Sequence, residues 1–108
     1  MIIYLAKVKY GENVTIRAFK TKTSATKAAK EAQKKLYADM EYNKTHDMQV
    51  DANAFGVVVK ADPNVKHKKE KVTTDEGKDI YYVNVYGKDG TFYYHKFAGY
   101  VKKLIVEH

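Results

Sequence analysis

Residues 2–10 alternate without a break: Ile2, Tyr4, Ala6, Val8 and Tyr10 fall on one side, and Ile3, Leu5, Lys7 and Lys9 on the other. An extended backbone sends successive side chains to opposite faces, so this segment reads as a half-buried strand. Gly11-Glu12-Asn13 leaves room only for a tight turn, after which Val14, Ile16 and Ala18 resume the alternation against Thr15, Arg17 and Phe19. The two segments form a β-hairpin. The pattern returns near the end, with Ile80, Tyr82, Asn84 and Tyr86 set against Tyr81, Val83 and Val85. Gly87-Lys88-Asp89-Gly90 is a turn, and Thr91 to Phe97 reads as the returning strand, Phe92 and Tyr94 opposite Thr91, Tyr93, His95 and Phe97.

A helix follows the first hairpin. Thr23 and Ser24 are N-cap residue types, and Ala25, Ala28, Ala29, Ala32, Leu36 and Met40 recur at helical spacing as one apolar stripe. The alanines predict a helix lying close to the sheet, while Lys27, Lys30, Lys34 and Lys35 mark its solvated side. Phe97, Val101, Leu104 and Ile105 also sit at helical spacing and predict a second, terminal helix, with a strand the alternative that the β-branched Ile105 and Val106 keep open. Between these blocks, residues 42–53 read as a loop and Phe55 to Lys60 as a short buried strand. Pro63, the sole proline, marks a break, and the densely charged residues 61–78 read as a basic flexible loop.

Ile3-Tyr4-x-Ala6-x-Val8-x-Tyr10-Gly11 is similar to Ile80-Tyr81-x-Val83-x-Val85-Tyr86-Gly87 with one gap, which reads as an internal repeat. The expected fold is a single α+β domain over 1–108, with an antiparallel sheet of about five strands and two helices on one face. It would consist of a first ββα unit at 1–41, an extra strand at 54–60, the loop at 61–78 and a second ββα unit at 79–108.

At 108 residues and 44% apolar composition the chain can bury a core without staples, and its lack of cysteine excludes disulfides, zinc–cysteine sites and thiol nucleophiles. No apolar run is long enough for a membrane helix, and the N-terminal charge order is wrong for a signal peptide, so no membrane partner and a cytoplasmic location are expected. Net charge is +7, from 20 basic against 13 acidic residues. Such an excess favours a polyanion, DNA or RNA, or an acidic protein surface. Arg17 is the sole arginine. Lysine is a mobile point charge, so the expected contact is weakly sequence-specific and salt-sensitive.

The chain has no Gly-rich phosphate loop, no HExxH and no Gly-x-Ser-x-Gly elbow. His46, His67, His95 and His108 are scattered, and the carboxylates Asp39, Glu41 and Asp47 have no evident supporting shell. No catalytic residues, metal ligands or cofactors are assigned, and a non-enzymatic role is expected.

The positive signal is aromatic. Of ten tyrosines and four phenylalanines, six and two respectively fall within residues 81–100. Tyrosine beside lysine on an open sheet face suits a platform on which single-stranded bases stack. It also suits a protein interface, or simple cross-strand pairing within the sheet. The candidate contact residues are Lys7, Lys9, Arg17, Lys66, Lys68, Lys69, Tyr81, Tyr93 and His95. The leading expectation is a small basic module that contacts nucleic acid. The alternative is a stoichiometric protein-binding inhibitor or adaptor of the phage accessory, counter-defence type. An exposed sheet edge would allow an edge-paired dimer.

The run Val14-Thr-Ile-Arg-Ala-Phe19-Lys-Thr-Lys-Thr-Ser-Ala25, a hairpin entering a Thr/Ser-capped helix, is similar to the arm-type DNA-binding domain of phage and transposon integrases. That family sets a three-stranded sheet in the major groove, which here would implicate Lys7, Lys9, Thr15 and Arg17. This chain departs from the pattern in having two strands before its helix and a single arginine.

Overall fold

The computed structural model describes the backbone of residues 1–52, 55–59 and 61–107, and the side chains of those outside 48–60. The chain runs β1 (Ile2–Tyr10), β2 (Asn13–Phe19), α1 (Lys22–Tyr42), β3 (Met48–Ala52), β4 (Phe55–Val59), β5 (Lys66–Thr73), β6 (Asp79–Tyr86) and β7 (Phe92–Ile105). Five strands form one antiparallel sheet in the order β2-β1-β7-β6-β5, and β3 pairs with β4 as a separate hairpin.

The first hairpin and its faces follow the alternation. Tyr10 pairs with Asn13 across a two-residue turn, in which Gly11 takes φ 61°, the left-handed conformation that primed hairpin turns require. Helix α1 is capped by Thr21 rather than Thr23 or Ser24, the Thr21 hydroxyl accepting from the Ser24 N–H at 3.2 Å. Its alanine stripe faces the sheet as expected: Ala25 and Ala29 pack on Ala6, Tyr81 and Val101. Toward the other end Met40 meets Val83 and Val85, with Leu36, Tyr37 and Val65 alongside. The largest fully buried side chains are valines, Val83 and Val85. Small residues thus bring helix and sheet close together, and polar ties secure the contact. Gln33 Nε2 donates to the carbonyls of Glu70 and Tyr82, and Asp79 accepts from the Thr73 hydroxyl while facing Lys22 at 3.7 Å.

The predicted terminal helix is not formed. Residues 97–105 complete β7, which pairs with β6 through Phe92–Val101 and with β1 through Gly99–Ile105. The helical spacing of Phe97, Val101, Leu104 and Ile105 was coincidental. Ala98 is an extra residue at a bulge opposite Tyr81/Tyr82, and beyond it the residues alternate, so Val101 is 2% exposed while Lys102 and Leu104 turn to the other side. Two neighbouring strands offered the β-branched residues here a ladder on both sides, which outweighed local periodicity. With one helix among the described residues, the duplicated ββα unit is not formed either.

The basic segment at 61–78 is not loop throughout, because residues 66–73 form a strand. Lys66–Thr73 pairs with β6 from Lys66↔Tyr86 to Thr73↔Asp79 and closes the sheet as an edge. Lysines suit an edge strand because they keep it from pairing with other chains. Residues 42–53, expected as a loop, include β3. The expected burial of Phe55 to Lys60, and the ends Asn53, Ala54 and Lys60, lie outside the described residues.

Candidate binding face

The molecule measures 51 × 36 × 19 Å. The short dimension accommodates a sheet and one helix and no third layer. Helix α1 therefore covers one face, lined by Ala6, Val8, Tyr81, Val83, Val85 and Val101, and the opposite face lies open.

The pairing register specifies what that open face carries. Across its middle run Lys7, Tyr100 and Ile80, followed one row along by Phe97, Tyr82 and Glu70. Then come His95, Asn84 and Lys68, and at the end Phe92, Tyr86 and Lys66. The rings meet in pairs: Phe97 and Tyr100 at 6.3 Å, Tyr82 and His95 at 5.7 Å, Tyr86 and Phe92 at 5.8 Å between centroids. Those contacts are edge-on or tilted, which leaves ring faces without an aromatic stacked against them. Two ammonium groups reach Tyr100, Lys78 Nζ at 4.3 Å from the ring centroid and Lys7 Nζ at 5.8 Å.

Charge on this face is one-sided. Lys7, Lys9, Lys66, Lys68 and Lys102 project from its strands, and Glu70 is the one carboxylate among its described strand residues. Glu70 hydrogen-bonds Lys68 at 3.1 Å, and that contact together with its charge holds the Lys68 ammonium above the usual lysine range. The helix side differs. A cleft of about 630 Å³ opens there between the tip of the first hairpin, the end of α1 and the front of β7, lined in part by Tyr10, Lys35, Lys44, Tyr94 and Lys96. Two of its lysines are already paired, Lys35 with Asp39 and Lys44 with Glu41. Among the described residues no cluster of three histidine or acidic side chains could hold a metal ion, and no helix is long and apolar enough to cross a membrane.

No family model, curated protein or solved structure matches the chain.

The candidate residues divide by face. Lys7, Lys9, Lys66, Lys68 and His95 share the open face. Arg17 and Lys69 lie on the helix side, Arg17 over the Phe19 ring at 5.1 Å and Lys69 over Tyr37 at 5.2 Å. Tyr81 is 2% exposed and belongs to the core, where burial raises its phenol above the ordinary tyrosine value. Tyr93 is the extra residue of a second bulge, and its ring lies against Gly87, leaving no room there for a Cβ. The groove-reading set implied by the integrase-like run is split, Lys7 and Lys9 facing one way and Thr15 and Arg17 the other.

Sequence reasoning passed over Tyr82, Tyr86, Phe97, Tyr100, Lys78 and Lys102. A signal for the first two was present: Val83 and Val85 mark the core side of β6 and Asn84 the open side, which assigns Tyr81 inward and Tyr82 and Tyr86 outward.

Proposed function

We propose that this chain binds single-stranded nucleic acid across the open face of its sheet. The observation that carries the reading is the coincidence, on one uncovered face, of three ring pairs with five lysines against a single carboxylate. Bases stack on aromatic rings irrespective of sequence, and lysines follow the phosphates between them. The face is broad and shallow, as an extended strand requires, and lysine in place of arginine suits contact without base readout. Lys7, Lys78 and Lys102 border Tyr100, while Lys66 and Lys68 border Tyr86, so the rings have charge at both ends.

The test is the anisotropy of labelled single-stranded DNA, single-stranded RNA and duplex DNA at two salt concentrations. Single strands should bind more tightly than duplex, with affinity falling as salt rises. Tyr100→Ala and Tyr82→Ala should weaken binding at both salt concentrations, since stacking is not screened. Absence of binding to any of the three at low salt rejects the reading.

A second reading, stoichiometric contact with an acidic protein surface, is supported by the apolar residues that rim the same face. Val72 and Phe92 are 46% and 51% exposed. A single partner retained at moderate salt, with no nucleic acid bound, would favour it.

A further inference from the structure

The two edges of the sheet are built differently. β5 carries Lys66, Lys68, Lys69 and Lys71, and strands so charged resist pairing with another chain. β2 reads Asn-Val-Thr-Ile-Arg-Ala-Phe, has one charge, and is exposed from Asn13 to Ala18. In a hairpin closed by a two-residue turn the closing residues exchange hydrogen bonds, and the hydrogen-bonded pairs recur at every second residue. Asn13, Thr15, Arg17 and Phe19, opposite Tyr10, Val8, Ala6 and Tyr4, therefore direct their backbone groups to β1. Val14, Ile16 and Ala18 direct theirs out from the sheet, three N–H and three C=O groups in a row on an unprotected edge.

We propose that β2 is a homodimerisation edge, pairing antiparallel with β2 of a second copy about a two-fold axis at Ile16. One register satisfies every outward group: Ile16 opposite Ile16, and Val14 opposite Ala18 at both ends. It joins Val14, Ile16 and Ala18 of the two copies into one apolar patch, in which Ile16 and Val14, residues 59% and 52% exposed in the single chain, partly shield one another from water. The same register sets Glu12 of each copy opposite Lys20 of the other. Among the described residues neither has an ion-pair partner within its own chain. The strand is thus complementary to itself in hydrogen bonds, apolar surface and charge. A two-fold axis perpendicular to the sheet places both helices on one side and both open faces on the other, giving a continuous ten-stranded surface. The dimer stands apart from whatever the open face binds.

Sedimentation of the wild-type chain over a concentration series should show a reversible dimer, of roughly micromolar affinity because the interface is a single strand pair. Ile16→Lys, which sets two lysines against each other at the axis, should sediment as a monomer with an unchanged circular dichroism spectrum. The register has its own test. Glu12→Lys and Lys20→Glu each place like charges at both ends, so each alone should dimerise about tenfold more weakly. Mixed together they should form a heterodimer of near wild-type affinity, because each end then pairs lysine with glutamate. A wild-type chain that remains monomeric throughout the series, or a mixture no stronger than its components, overturns the proposal.

Discussion

Gln33 Nε2 stands 2.8 Å from the carbonyl oxygen of Tyr82 and donates its second proton to the Glu70 carbonyl at 2.7 Å, so one buried helix side chain clasps two adjacent strands. Glu70 and Tyr82 are a cross-strand pair whose side chains lie on the open face. The backbone beneath the aromatic platform is therefore tied directly to α1. Gln33→Leu keeps the approximate size and removes both donors, and should lower unfolding stability by about 1–3 kcal/mol in urea titrations. Gln33→Glu brings a carboxylate to two carbonyl oxygens and should cost more at neutral pH than leucine does. Equal stability of leucine variant and wild type would show that the clasp contributes nothing.

Gly99 sits beside the Ala98 bulge, where β7 passes from β6 alone to both neighbours. A Cβ at this position would lie 2.6 Å from the Lys7 carbonyl oxygen, which is backbone and cannot swing aside. Gly99→Ala should therefore destabilise the fold by about 1–3 kcal/mol and lower the melting temperature, although alanine is otherwise the mildest substitution. Gly77, with φ 82° and open space around its Cβ position, provides the contrast: any cost of Gly77→Ala there comes from backbone conformation rather than a clash.

Burial raises the Tyr81 phenol, with the nearby Asp79 charge adding to the effect and a Thr26 hydrogen bond opposing it. A tyrosine whose value is higher when folded holds its proton more tightly in the native state. Its contribution is intact below the ordinary tyrosine value of about 10 and is lost as pH rises through the folded value. Melting temperature should consequently fall more steeply above about pH 10 in the wild type than in Tyr81→Phe. Ultraviolet titration should also lose a tyrosine step above the ordinary value in that variant. Parallel alkaline limbs for the two proteins would contradict this.

The lysines of the open face should act on binding rather than folding. Replacing Lys66 and Lys68, both exposed, with glutamine should leave the melting temperature nearly unchanged. If phosphates sit over them, the slope of log affinity against log salt should shallow by about 0.7 for each phosphate of a single strand that is no longer neutralised. An unchanged slope would remove the β5 end of the face from the binding path. Lys69→Gln, on the helix side over Tyr37, is the matched control and should leave the slope as it was.

Much of the architecture was legible because strand and helix periodicities are local. The alternation in residues 2–10 and 79–86, the Gly11 and Gly90 turns and the alanine stripe of α1 each declare their element within a few residues. Helix N-caps were less legible: Thr21, Thr23 and Ser24 all have suitable side chains, and only backbone geometry chose Thr21. The basic run at 66–71 looked like a loop because charge resembles solvation, and it became a strand because β6 offered it an edge. For the open face, composition announced tyrosine and lysine but could not say which side of each strand would be covered.

The sequence by itself determined an antiparallel hairpin, a helix with an alanine face, a second hairpin, and a strong positive charge carried almost wholly by lysine. Tertiary structure alone decided the fate of residues 97–105, because β1 lies far away in sequence and its pairing with β7 appears in no local pattern. It decided as well that Tyr81 is core while Tyr82, Tyr86 and Tyr100 lie on the open face. A tyrosine can serve either face of a sheet, and it was the docking of α1 that made one of them the interior.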